Sequence, residues 1–381
     1  MKNVVGVIIL LIVILDIGWI VWMLVDAGNQ INMPVIYPIK SYSDTRLANM
    51  SLKQKVSSLL ILHTPGTDAT VLRNYLNTHQ PGGLIFMSDN IPETTDELVA
   101  LTNELQTNTT ILYILAIDEE GGIVKRLDAD THPAAIDLKN QSVSATMAAF
   151  TKRSTLLFKS GLNLNFGIVA DITSDPTSYI YKRVFGGDPA SVSERVAAAV
   201  KASKELTLST LKHFPGHGET TADSHTSIPT TDITLDKWQL RDKPAFQMGI
   251  KAGANVVMLG HLRYSGVDDA PASLSSTWHD ILKKQLGFNG LTVTDDMMML
   301  QNSGETQFAN PVDNAISALK AGNTMLLYVL GDDGTVANVS VNDLIDGIVT
   351  SVKSGQLKLD IINKNARKVI DVRRSLLQLG N

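Results

Sequence analysis

The chain contains no cysteine. That excludes disulfides, thiolate metal sites and a cysteine nucleophile. Basic residues are in the minority, 33 Lys and Arg against 38 Asp and Glu, for a net charge of -5. No basic face is implied, so nucleic acid is not an expected partner. There is no low-complexity tract, no short internal repeat, and no GxGxxG after the first strand-like run. The last absence weakens a dinucleotide-binding, doubly wound reading. What is present is 381 residues with 44% hydrophobic content. This is long for an ordinary domain but fits one large α/β barrel with an appendage.

The appendage is at the start. Residues 4–25, VVGVIILLIVILDIGWIVWMLV, are an almost unbroken apolar run interrupted by Asp16. About 20 such residues cross a bilayer core. Trp19 and Trp22 near its far end suit an interfacial belt. A cleaved signal peptide has a shorter apolar core, so residues 1–27 are expected to be a single-pass transmembrane anchor. Lys2 and the terminal amine precede the run and Asp26 follows it, which places the body outside the membrane. Residues 28–48, with Pro34 and Pro38, read as a linker, and residues 49–381 as the globular body, expected as a monomer.

Short apolar, β-prone runs recur through the body at 58–63, 82–87, 110–117, 163–170, 209–214, 255–260, 291–294 and 324–330. Stretches with helical spacing separate most of them, such as ASVSERVAAAVKASKEL at 190–206. Continuous apolar strands alternating with helices argue for a parallel sheet. Eight units predict a (β/α)₈ TIM barrel. Polar residues cluster where the runs end: His63, Asn90, Asp118, Asp171, His213, His261 and Asp295. Barrel enzymes build their sites from these carboxyl ends.

Four stretches carry candidate chemistry. In AIDEEGG, Asp118 directly follows a buried strand and can accept two hydroxyl hydrogen bonds. In YKRVFGGDP, Arg183 offers a fork for a carbonyl, a carboxylate or sugar hydroxyls. In KHFPGHGETTADSH, at 212–225, Lys212 and His213 end the fifth run and Pro215, Gly216 and Gly218 turn the chain out into a loop. Adjacent residues of a strand face opposite sides, so both reach one site only if the strand twists or ends there. The loop carries Asp223 and His225, a spacing at which the carboxylate can fix the imidazole tautomer and raise its pKa. In LTVTDDMMM, Asp295 sits where an apolar strand ends, a suitable mount for a nucleophile, with Asp296 beside it. His213 and His217 also have H-x3-H spacing, with Asp223 and His225 as further metal ligands. Pro215 and Gly216 break the helix that usually presents such a pair, and no HExxH is present. A site without metal or cofactor is therefore the expectation.

Taken together, KHFPGHGETTADSH, DEEGG, KRVFGGDP and GFNGLTVTDDMMM resemble the single-domain β-N-acetylglucosaminidases of glycoside hydrolase family 3, in matching order over roughly residues 50–375. The resemblance implies a (β/α)₈ barrel and a retaining, two-step mechanism. It implies Asp295 as the nucleophile, His225 as the general acid/base and Asp223 as its orienting partner. It also implies that Asp118, Arg183, Lys212 and His213 hold the terminal sugar, with His261 in a supporting role. The implied partner is a carbohydrate with terminal β-GlcNAc, drawn from peptidoglycan-derived material outside the membrane. Glu119, Lys125 and Thr294 depart from common family residues and put subsite details in doubt. Three competing readings remain: a phosphorylase using the same site, a β-glucosidase, and a non-catalytic, membrane-tethered saccharide receptor.

Overall fold

The structure is a computed structural model that describes residues 39–330 and 334–380. The apolar run at 4–25 and the expected linker up to Pro38 lie outside the described residues. Among the described residues no helix is long and apolar enough to cross a membrane.

Eight parallel strands close a barrel. They are β1 Leu60–Leu62, β2 Gly83–Phe86, β3 Ile114–Ile117, β4 Leu164–Val169, β5 Leu208–Phe214, β6 Val256–Leu259, β7 Leu291–Asp296 and β8 Met325–Tyr328. Each pairs with its sequence neighbours, and β8 pairs back onto β1 with Leu60 opposite Leu326. Every expected apolar run overlaps one of these strands. Two differ in extent. The third run begins pairing only at Ile114, because the carbonyls of Ile111 and Leu112 accept hydrogen bonds from Arg373 instead. The seventh run continues through both acids, Asp295 and Asp296.

Period-two alternation divides the core in two. Ile61, Ile85, Ala116, Phe166, Leu208, Met258, Val293 and Leu327, one from each strand, fill the barrel interior and belong to a larger buried cluster that continues into the helices Val341–Lys353 and Leu359–Ser375. Their neighbours Leu84, Phe86, Leu115 and Ile117 pack outward on Leu72, Leu76, Leu98 and Leu101 of the surrounding helices. Those helices begin where capping side chains stand. Asp68 accepts from Thr70 and Val71, and Thr94 and Glu97 form a capping box. Asp188 caps the helix Pro189–Ser203, with proline in its first turn.

A second buried group lies under the carboxyl end of β5. Trp238, Trp278, Phe214, Phe246 and Tyr264 are packed edge to face, with ring centroids 5.0–5.9 Å apart. Trp238 Nε1 donates to the Pro215 carbonyl at 2.8 Å and Tyr264 Oη to that of Gly216 at 2.6 Å. This aromatic floor thereby grips the chain where it leaves the barrel. Trp238→Ala is expected to cost about 3–5 kcal/mol of stability, read by urea unfolding, because a fully buried indole leaves a large cavity.

Candidate functional site

The alternation that fills the barrel also aims the site. Asp118 continues the side of β3 that carries Ile114 and Ala116, and Lys212 continues the side of Leu208. Asp295 continues the side of Leu291 and Val293. All three therefore turn toward the barrel axis at its carboxyl end.

Lys212 Nζ lies 2.6 Å from Asp118 Oδ1 and 2.6 Å from Glu120 Oε1. Arg183 grips the same Glu120 as a fork, Nε to Oε2 at 2.9 Å and Nη2 to Oε1 at 2.6 Å. Burial alone would raise the Glu120 carboxyl, but Arg183 and Lys212 outweigh it and hold it at about 2. The same pairing raises both cations against their own burial, so all three stay charged.

His213 also reaches this cluster, with Nε2 3.3 Å from Arg183 Nη2. The register of β5 against β6 shifts between Leu211 and Phe214, and the Lys212–His213 and Phe214–Pro215 peptides are cis. Regular alternation ends there, which is how adjacent residues serve one site. Asp171, wholly buried after β4, holds the turn together. It faces His213 Nδ1 at 2.7 Å and accepts from the backbone amides of His213 at 3.2 Å and His217 at 2.7 Å. Burial works against its charge, yet the two histidines hold its carboxyl below the usual range. His217 donates or accepts through Nδ1 with Thr220 at 2.9 Å, and burial lowers its pKa to about 4. The H-x3-H pair thus has a nitrogen of each ring already committed. Among the described residues no group of three or more histidines and acids is arranged to hold a metal ion.

The two aspartates ending β7 occupy opposite electrostatic environments. For Asp295, burial opposes ionisation, but His213, His261, the Asp296 amide at 2.9 Å and Lys212 prevail and lower its pKa. For Asp296, burial and the neighbouring Asp295 raise the pKa to about 7, although Oδ1 accepts from the Val329 amide at 2.9 Å and that of Met298 at 3.1 Å. His261 is fully buried with both nitrogens engaged, Nδ1 to Ser273 at 2.6 Å and Nε2 to the Asp296 carbonyl at 3.0 Å. It braces the end of β7.

Asp223 and His225 lie on the loop between β5 and the short strand Thr230–Thr231. Asp223 Oδ1 accepts from the His225 amide at 2.9 Å and faces Nδ1 at 2.7 Å. Tyr179 Oη is 3.1 Å from the same nitrogen. Both side chains are open, 60% exposed for His225 and 42% for Asp223. The loop is held at its entry and its exit. Gly218 passes so close to the Ile172 carbonyl that a Cβ would stand 1.8 Å from it. At the exit, Thr230–Thr231 pairs with Arg263–Tyr264.

Every residue singled out in the sequence is thus at the carboxyl end of the barrel. Asp118, Arg183, Lys212, His213 and Asp295 form one electrostatic cluster, His261 supports it, and Asp223 with His225 sits on the adjoining loop. Sequence reasoning passed over Glu120, Tyr179 and Asp242, and took Asp171 only as a strand-end acid. Glu120 was legible, because it lies two residues beyond Asp118 and so shares its side. Tyr179 and Asp242 carried no local signal.

Acids, cations and histidines gather at the carboxyl end of this eight-stranded barrel, the end where barrel enzymes build their sites. The chain belongs to glycosyl hydrolase family 3, whose N-terminal domain matches residues 51–372, and it spans about half the length of the first curated relative it matches. It is 32% identical over 281 residues to beta-hexosaminidase A of Pseudoalteromonas piscicida, covering 66% of this chain and 46% of that protein. A beta-hexosaminidase of Hydrogenovibrio crunogenus is 30% identical over 256 residues, covering 64% of this chain and 71% of that one. Among solved structures, the glycoside hydrolase family 3 β-N-acetylglucosaminidase of Paenibacillus sp. str. FPU-7 superposes with a TM-score of 0.78 at 27% identity, covering 86% of this chain and 63% of that one. The β-N-acetylhexosaminidase of Beutenbergia cavernae gives 0.75 at 26%, covering 86% and 99%.

Asp242 packs against this loop from the junction of the helices Leu235–Arg241 and Lys243–Ala252. It is buried against Gly216, where a Cβ would stand 2.6 Å from Oδ1, and neither carboxylate oxygen has a hydrogen-bond partner. Burial raises its pKa to about 7, with Arg241 opposing and Asp171 adding to the rise. A raised carboxyl contributes stability that is complete below its unfolded pKa, about 4, and is lost as pH climbs toward 7. Wild-type stability should therefore fall over that window relative to Asp242→Asn, by on the order of a few kcal/mol. Denaturant unfolding at pH 4, 5.5 and 7.5 measures it, and parallel pH profiles would remove Asp242 as the source.

Proposed function

We propose that the chain is an exo-acting, retaining β-N-acetylglucosaminidase that releases terminal GlcNAc by double displacement through Asp295. The observation that carries this reading is the opposite behaviour of the paired acids. Asp295 is kept ionised beside Lys212 and His213, while Asp296 is pushed toward neutrality and tied to two backbone amides. A nucleophile must be charged and aimed, and neighbours with separated pKa values divide such roles.

The proton donor is His225. Asp223 is itself held below the usual carboxylate range, since burial is outweighed by the hydrogen bonds from His225. An ionised Asp223 accepts from Nδ1 and leaves Nε2 for proton transfer. In the first step His225 protonates the glycosidic oxygen as Asp295 attacks the anomeric carbon. In the second it takes a proton from water as the glycosyl-enzyme is hydrolysed. Retention calls for donor and nucleophile about 5–5.5 Å apart. Asp295 is fixed by β7, so that spacing is set by the loop bearing His225. Asp118, Arg183, Lys212 and His213 hold the terminal sugar. Their mutual ion pairs preorient them, and hydroxyl groups replace only part of those contacts. Peptidoglycan-derived saccharides as substrate and an extracytoplasmic, membrane-anchored location are part of the same proposal, supported by the family relatives' names for the sugar and by the 4–25 run for the membrane.

With p-nitrophenyl β-GlcNAc, Asp295→Ala is expected to lower turnover at least about a thousandfold while leaving sugar binding in place. Near-normal release would remove Asp295 from the nucleophile's role. His225→Ala is expected to cost about a hundredfold or more on an alkyl or saccharide leaving group and much less on p-nitrophenolate, which needs little protonation. Equal losses on both would argue against His225 as the acid.

A further inference from the structure

The opposite end of the barrel holds a cavity of about 410 Å³ that the chemistry above does not use. It lies where β1, β2 and β3 begin, bounded by Arg46 and Met50, by the helices Ala69–His79 and Leu359–Ser375 and by the segment 107–113. Three arginines line it, Arg46, Arg73 and Arg373, and no aspartate, glutamate, histidine or lysine does. In a chain of net charge -5 that is not the background composition. The remaining wall includes apolar Leu76, Leu105 and Val369.

Among these three, Arg46 keeps a buried nitrogen without a hydrogen-bond partner. Arg73 is paired with Glu104, outside the lining. Arg373 stacks on Tyr113 at 4.6 Å and donates to the carbonyls of Leu112 at 2.7 Å and Ile111 at 3.2 Å. Arg46 donates through Nη1 to Thr110 at 2.7 Å, but its Nε is buried without a hydrogen-bond partner. A desolvated guanidinium N–H left unpaired is costly, and an arriving acceptor recovers that cost. Guanidinium forks match the planar pair of oxygens on a phosphate or carboxylate. The volume falls within the usual range for small-molecule sites, about 300–1,000 Å³.

We propose that this cavity binds an oxyanion carried on an apolar group, with phosphate-ester chemistry, through Arg46 and Arg73 against the Leu76–Leu105–Val369 wall. The ligand enters at the amino ends of the strands, so it does not compete with substrate at the carboxyl ends. The same chemistry is offered by a free phosphate and by a lipid headgroup, and the test separates them.

The full chain in a non-ionic detergent would be titrated calorimetrically with inorganic phosphate and, separately, with monomeric dihexanoyl phosphatidic acid. Saturable 1:1 binding is expected for at least one, weakened about tenfold or more by Arg46→Gln and independently by Arg73→Gln. Thermal unfolding of each variant checks that it folds. Binding of phosphate alone would assign the site to a free oxyanion. Binding of the ester alone would assign it to an amphiphile seated on the apolar wall. Heat release from neither ligand, or undiminished affinity in both folded variants, would overturn the proposal.

Discussion

The carboxylate of Glu120 holds two cations at the carboxyl end of the barrel, Arg183 and Lys212, where both are largely shut off from water. Charges of that kind persist only when paired and fully hydrogen-bonded. Glu120 meets the condition for both at once, and Asp118 completes the coordination of Lys212. The arrangement ties the end of β3 to the turn Tyr181–Arg183 and to β5, three segments far apart in sequence. Asp171 adds a fourth by binding the backbone and side chain of the His213 turn from β4. The cluster is thus rigid before any ligand arrives, as a site that stabilises charge at a fixed point must be.

Against that rigid half stands a loop with two characters. Its entry is clamped by Trp238, Tyr264 and the Asp171 carboxylate, with Gly216 and Gly218 admitted only because a side chain would collide with Asp242 or the Ile172 carbonyl. Its tip, bearing Asp223 and His225, is open to solvent. In the proposed mechanism a nucleophile on a strand and a proton donor on a loop would divide the labour, with a scaffold for precision and a loop for variation.

The contrast between Asp295 and Asp296 shows how one dipeptide acquires two electrostatic environments. Both belong to β7, and period-two alternation sends their side chains to opposite sides. One meets Lys212 and His213, the other meets backbone amides and the repulsion of its neighbour. No property of the residue type distinguishes them.

Much of this was legible without coordinates. The eight apolar runs specify the barrel because strands buried on both faces must be continuously apolar, and polar residues can appear only where such a strand ends. Asp118, Lys212 and Asp295 follow from that rule together with period two. The pairing of Asp223 with His225 is local, two residues apart, and so is also written in the sequence. What the sequence alone did not decide is everything that depends on long-range contact. Arg183 and Glu120 meet across 63 residues, and Tyr179 and His225 across 46. The same-side placement of Lys212 and His213 depends on a register shift against β6, and the burial of Asp242 on a distant glycine. Charge state and direction at these positions come from neighbours that only the closed barrel brings together, because electrostatic environment is a property of space and not of sequence separation.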